Sequence, residues 1–100
     1  DEKPVLSCSI PAVRAAGHKI TTLEGVQEEA AEFSDYLAKE GADQCGYCSP
    51  GMIMNVLALK REIPNPTMQQ VKEYLAGNLC RCTGYQGQYR ALAKYFGVEE

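Results

Sequence analysis

The chain has 100 residues, 45% of them hydrophobic and 23% charged, with a formal net charge of −3. That is enough apolar material for one modest core, and it excludes wholesale disorder. The acidic balance lacks the basic footprint of a nucleic-acid binder, and no run approaches the roughly 20 apolar residues of a membrane span. The opening Asp1-Glu2-Lys3-Pro4 is unlike a signal peptide, which sets the expectation of a cytoplasmic protein. With no tryptophan and one histidine, most acid–base catalysis is short of parts, whereas five cysteines stand out.

Residues 1–25 come first and differ from the rest. Val5-Leu6-Ser7-Cys8-Ser9-Ile10 and His18-Lys19-Ile20-Thr21-Thr22-Leu23 are short β-favouring runs separated by Pro11 and Gly17. Two short strands do not stand alone in water, so the expectation is an extended arm. His18, beside a lysine in a polar stretch, reads as an exposed loop residue.

Residues 26–100 read as all-α, a small four-helix bundle. The first helix carries Val26, Ala30, Phe33 and Leu37 at helical spacing and stops at Gly41. Its glutamates Glu24, Glu28, Glu29 and Glu32 read as a solvated region. Cys45-Gly46-Tyr47-Cys48 follows. Ser49-Pro50 then signals a second helix, with the serine as N-cap and the proline at the first helical position, running to about Arg61. Met52, Ile53, Val56, Leu57 and Leu59 give it a broad apolar surface, on which Met52 and Met54 read as core filling. Pro64 and Pro66 break the chain, and Thr67 with Gln70 forms a capping-box signature for a third helix. Met68, Val71, Leu75 and Leu79 are expected on one face. Cys80-Arg81-Cys82 precedes a final helix near Gln88–Phe96, with Tyr89, Leu92 and Phe96 apolar and Gly97 as the stop. Glu99-Glu100 reads as a tail. Each half places a cysteine pair between two helices, so packing the halves face to face brings both pairs to one end.

Three chemistries compete for the cysteines. A disulfide framework needs an oxidising compartment, and Cys80 joined to Cys82 makes a strained bridge. A thioredoxin-like motif at Cys45–Cys48 calls for a βαβ setting that the helical flanks do not offer. A metal or cluster site accepts four thiolates, as zinc or as iron–sulfur. The C-x-C spacing departs from the usual zinc ribbon. Gly46, Gly51 and Gly84 allow backbone amides near the sulfurs, and the helix starting at Ser49-Pro50 aims its positive end at an anionic site. Together these favour a cluster. A structural zinc-binding interaction module is the alternative.

Gln44-Cys45-Gly46-Tyr47-Cys48-Ser49-Pro50-Gly51-Met52 and Gly77-Asn78-Leu79-Cys80-Arg81-Cys82-Thr83-Gly84-Tyr85 closely resemble the iron–sulfur subunit or domain of the molybdenum hydroxylases, the xanthine dehydrogenase, aldehyde oxidoreductase and carbon monoxide dehydrogenase family. The resemblance implies a helical domain holding one [2Fe–2S] cluster through Cys45, Cys48, Cys80 and Cys82. It implies electron transfer between a molybdopterin centre on a large partner subunit and a second cluster, with a flavin-binding subunit as a further partner. Gln44 and Cys82 match positions that face the pterin. The family's substrate chemistry belongs to the molybdenum-binding component, so no catalytic residue is expected here. Ser7-Cys8-Ser9-Ile10-Pro11-Ala12 and Ile20-Thr21-Thr22-Leu23-Glu24-Gly25 resemble the junction with a plant-type ferredoxin domain. Cys8 matches that domain's fourth ligand without its three companions. The expectation is therefore the carboxy-terminal part of a longer subunit, with Cys8 a free thiol. Arg81 either adds positive charge near the cluster or is solvated. Tyr47, Met52 and Tyr85 are candidates for docking surface, with a place in the core as the other reading.

Overall fold

A computed structural model describes residues 3–98. The expectations on Asp1-Glu2 and on the Glu99-Glu100 tail lie outside the described residues. Four α-helices follow three short 3-10 turns: α1 is Gln27–Lys39, α2 Ser49–Glu62, α3 Met68–Tyr74 and α4 Gln86–Phe96. Among the described residues there is no strand, and no helix is long and apolar enough to cross a membrane.

The β-favouring runs of the arm form no strand, as two such runs without partners are expected not to. Ser7–Ser9, Ala12–Ala15 and Leu23–Val26 form 3-10 turns. A strand needs a partner for its backbone donors and acceptors, and this stretch closes its hydrogen bonds locally instead: Ser9 N–H to the Leu6 carbonyl at 2.9 Å, Arg14 N–H to Pro11 at 3.0 Å. Val5, Leu6, Val13 and Ile20 stay exposed.

Each helix arises where the apolar spacing and local chemistry agree. In α1, Ala30, Phe33 and Leu37 point inward, Glu28 and Glu29 occupy the first turn and Lys39 the last, all in accord with the helix dipole. Gly41 takes the left-handed conformation at φ +65°, which lets Ala42 N–H reach back to the Leu37 carbonyl at 2.9 Å. In α2, Met52, Ile53, Val56, Leu57, Ala58 and Leu59 are buried, as the helix that shares flanks with both α1 and α3 requires. The Thr67–Gln70 capping box closes both ways, with Gln70 N–H to Thr67 Oγ1 at 3.2 Å and Thr67 N–H to Gln70 Oε1 at 2.9 Å. Helix α4 buries Gln88, Ala91 and Leu92 and stops at Gly97, φ +69°.

Two sequence expectations fail at helix ends. Ser49 is not the N-cap of α2: Cys48 is, its carbonyl accepting Met52 N–H at 3.1 Å, while the Ser49 hydroxyl donates to Asp43 Oδ1 at 3.1 Å. Pro50 therefore sits at the second helical position, still within the first turn whose N–H groups lack intrahelical partners. Leu79 is 76% exposed rather than on the buried face of α3, because that helix ends at Tyr74 and the 3.6-residue period ends with it.

The helices pack as a closed ring, α1 on α2, α2 on α3, α3 on α4 and α4 on α1. Phe33, Leu37, Val56, Leu57, Leu59, Val71 and Leu92 are fully buried at its centre. Phe33 meets Tyr95 edge-on at 5.0 Å. Glu40, just past α1, accepts from Arg90 Nε at 3.1 Å and from Lys94, tying the end of α1 to α4. Glu29 also departs from a purely solvated reading, since Arg61 of α2 bonds it at 3.0 Å. With alternating directions around the ring, the α1–α2 and α3–α4 loops share one end. Those loops carry the two cysteine motifs.

Candidate functional site

The first loop, residues 40–48, is shaped by short-range bonds. Ser49 N–H reaches the Gly46 carbonyl at 3.3 Å across a turn that needs Gly46 at φ +84°. Gln44 is exposed and its Nε2 donates to the Gly41 carbonyl at 3.3 Å. The second loop folds on Tyr85. This residue is the one non-glycine with positive φ among the described residues, at 72°. That backbone turns the phenol back so that its oxygen accepts Cys80 N–H at 2.9 Å, while Tyr85 N–H donates to Thr83 Oγ1 at 3.2 Å. Tyr85 stacks on Tyr89, over whose ring Lys72 Nζ lies at 4.9 Å, so α3 and α4 brace the loop together.

The cysteines meet across the motifs rather than within them. Cys48 and Cys80 lie close enough to shift each other's thiol, and Cys45 lies close enough to shift that of Cys82. The Cys48/Cys80 pair is half-buried and the Cys45/Cys82 pair exposed. No three His, Cys, Asp or Glu side chains among the described residues close around one point in the way a single metal ion needs. All five cysteines are free thiols in the structure. Cys8 is exposed in its 3-10 turn, 3.6 Å from the Ser9 hydroxyl, outside the contacts that join the other four.

Donors converge on the sulfurs. Thr83 Oγ1–H lies 3.2 Å from Cys80 Sγ and holds that thiol down to about 7, although burial opposes it. Backbone N–H groups of Thr83 and Cys82 assist. Burial, followed by the neighbouring Cys80, pushes the Cys48 thiol up, and the side chain of Cys45 pushes Cys82 up. Thiols crowded in this way favour binding a positive ion, which relieves their mutual repulsion. The amides of Cys45, Cys48, Cys82 and Thr83 reach the sulfurs of Cys48, Cys80 and Cys82. Gly46 and Gly84 supply the left-handed turns, and Gly51 sits in the first turn of α2 near Asn78 Oδ1. Cys48 as N-cap and Tyr85 before α4 aim the N-termini of α2 and α4 at the sulfurs.

Residues 22–93 match the family described as "[2Fe-2S] binding domain". The chain belongs to this family. The [2Fe-2S] binding domain is 47% identical over 95 residues to a probable xanthine dehydrogenase subunit of Bacillus subtilis (strain 168), covering 94% of this chain and 55% of that protein. It is 46% identical over 86 residues to "Aldehyde oxidase 4" of Cavia porcellus and 45% identical over 85 residues to "Aldehyde oxidase 2" of Rattus norvegicus. These alignments cover 83% and 82% of the chain and 6% of each oxidase. The domain thus spans about half of the bacterial relative and a small part of the oxidases.

Around the site, the docking candidates separate. Tyr47 is 94% exposed and lines an open cleft of about 450 Å³ with Leu79, Cys80, Arg81 and Tyr85. Met52 is buried and belongs to the core, which corrects its docking assignment. Tyr85 is half-buried and committed to holding the second loop. Arg81 is exposed beside Cys80. Sequence reasoning missed one residue altogether. Gln88 is buried on α4, and its Nε2 donates to Cys48 Sγ at 3.7 Å. Its partner lies 40 residues back in the chain, so no local pattern signals the contact.

Proposed function

We propose that Cys45, Cys48, Cys80 and Cys82 hold one [2Fe–2S] cluster and that this domain relays single electrons within a molybdenum hydroxylase. The cross-motif pairing of the thiols carries this reading. A binuclear cluster takes two thiolates at each iron, which matches Cys48/Cys80 and Cys45/Cys82, whereas one zinc ion draws four sulfurs around a single point about 2.3 Å away. When bound, the cluster accepts and releases one electron. The chain's own residues do the rest: Thr83 and the loop amides offer hydrogens to the inner sulfurs, and the ring of helices beneath keeps water off that side.

In this reading Cys45 and Cys82 form the side through which electrons enter from the partner, since they are the exposed pair. Gln44, exposed beside Cys45, and Cys82 face the pterin of a molybdopterin-binding large subunit. The electron then passes to a second iron–sulfur centre and on to a flavin-binding subunit. Residues 26–100 constitute the cluster domain, and residues 1–25 are the arm toward a ferredoxin-like neighbour that holds the second centre. The substrate is chosen in the large subunit. A reducing compartment, the cytoplasm, suits thiols that must stay free to take iron.

Anaerobic reconstitution of single serine variants tests the assignment. Replacing Cys45, Cys48, Cys80 or Cys82 is expected to abolish or distort the visible absorption and the electron spin resonance signal of the dithionite-reduced protein. Cys8→Ser is expected to leave both unchanged. Wild-type absorption and spin resonance spectra in any of the four ligand variants, or loss in Cys8→Ser, contradict the ligand set. A colourless chain that takes up one zinc in preference to iron favours the structural zinc module.

A further inference from the structure

Gln88 is the one buried polar side chain among the described residues, 4% exposed in the first turn of α4. Nothing about packing asks for an amide there. Leu92 and Ala91 beside it on α4 are buried and apolar, and an aliphatic side chain of the same length fills the space without a polar group to satisfy. What the amide adds is one N–H directed at Cys48 Sγ, at 3.7 Å. The second side-chain donor at the site, Thr83 Oγ1–H, lies 3.2 Å from Cys80 Sγ. Both therefore serve the same half-buried pair of thiols, Cys48 and Cys80.

We propose that Gln88 is a positioning residue that sets the cluster's reduction potential by hydrogen-bonding the Cys48 sulfur, and that it fixes the transferred electron on the iron held by Cys48 and Cys80. The proposal rests on the cluster reading above. Two ferric irons, two sulfides and four thiolates make a dianion. Reduction adds one electron from a donor, reduces one iron to ferrous and makes a trianion, with no bond formed or broken. An N–H donor stabilises the more negative form more strongly, so it raises the potential, and burial of the pair strengthens the effect. With both side-chain donors on one pair of ligands, the added charge rests on that pair's iron. The iron at the exposed Cys45/Cys82 pair stays ferric.

The test uses the full chain, reconstituted anaerobically with iron and sulfide and titrated against redox dyes. Gln88→Met keeps length and volume but removes the donor. The expected result is normal iron loading with the reduction equilibrium about tenfold less favourable, which is about 59 mV for one electron. A Gln88→Met protein that loads iron and keeps the wild-type potential overturns this inference and leaves the cluster assignment standing. A wild-type chain that takes up no cluster overturns the assignment and the inference with it. If Gln88→Met does not load, the wild type decides. With glutamine side chains labelled in ¹⁵N, pulsed spin resonance of the reduced cluster is expected to show a coupled amide nitrogen. That coupling should persist in Gln44→Ala and in Gln86→Ala, which remove the other two glutamines next to the cysteine loops. Its absence from the wild type, or its loss in Gln44→Ala or Gln86→Ala, overturns the inference.

Discussion

Thr83 offers the most direct view of how the second loop prepares its sulfurs. Its hydroxyl donates to Cys80 Sγ at 3.2 Å and is the largest influence holding that thiol at about 7, below the ordinary cysteine value of about 8.5. Thr83→Val removes the hydroxyl and keeps the shape. Backbone N–H groups of Thr83 and Cys82 remain, so the thiol is expected to recover only part of the difference, about one pH unit. At pH 7 the thiolate fraction then falls from about a half to about a tenth, and the greater nucleophilicity of the more basic thiolate offsets part of this, leaving roughly a twofold loss in alkylation rate at Cys80. The assay is iodoacetamide labelling of the metal-free chain, with each cysteine followed separately by mass spectrometry across pH 6–9. Thr83→Ser keeps the donor and should keep the wild-type rate. The sign of the accompanying stability change follows from the lowered thiol. Its contribution is present above the unfolded value and is lost as pH falls through about 7, and Thr83→Val should flatten that dependence. An unchanged or faster Cys80 rate in Thr83→Val refutes the reasoning.

Three other outcomes follow from the fold. Leu92 is fully buried where α4 meets its neighbours, so Leu92→Ala should cost about 2–5 kcal/mol in urea unfolding at constant slope. Thr67→Ala removes the hydroxyl that accepts Gln70 N–H and leaves the Thr67 N–H bond to Gln70 Oε1 in place, and it should lower stability by about 0.5–2 kcal/mol, read from the same unfolding curves. Lys94, followed by Arg90, holds the Glu40 carboxyl below the usual range, so its contribution is present above the unfolded value near pH 4 and is lost as pH falls through the lower folded value. Glu40→Gln should therefore blunt the acid-side fall of the thermal midpoint, and a variant whose acid profile matches the wild type contradicts that linkage.

What the chain revealed before folding was what is local. The capping box spans four residues, and the glycines at 41 and 97 act within one turn, so these helix ends were legible. The C-x-x-C and C-x-C motifs were equally plain, and the alternation of helix directions placed them at one end. Competition between neighbours was not legible. Ser49 had two acceptable uses for its hydroxyl, and Asp43 claimed it, which moved the N-cap to Cys48. Leu79 continued the apolar spacing of α3, but the helix had already ended. Tyr85 gave no sign of a left-handed backbone, because that conformation is imposed by the loop that its own phenol closes. The arm's branched residues favour strands only where a partner strand exists, and none is present among the described residues. Gln88 looked like one more polar helix residue until the fold carried it to Cys48.

One binuclear cluster on four cysteines is tested most directly by the iron and acid-labile sulfide content of the anaerobically reconstituted chain. Two irons and two sulfides per chain are expected, with visible absorption bleached by dithionite as a one-electron spin resonance signal appears. One zinc, or one iron without sulfide, on the same four thiols contradicts a binuclear cluster.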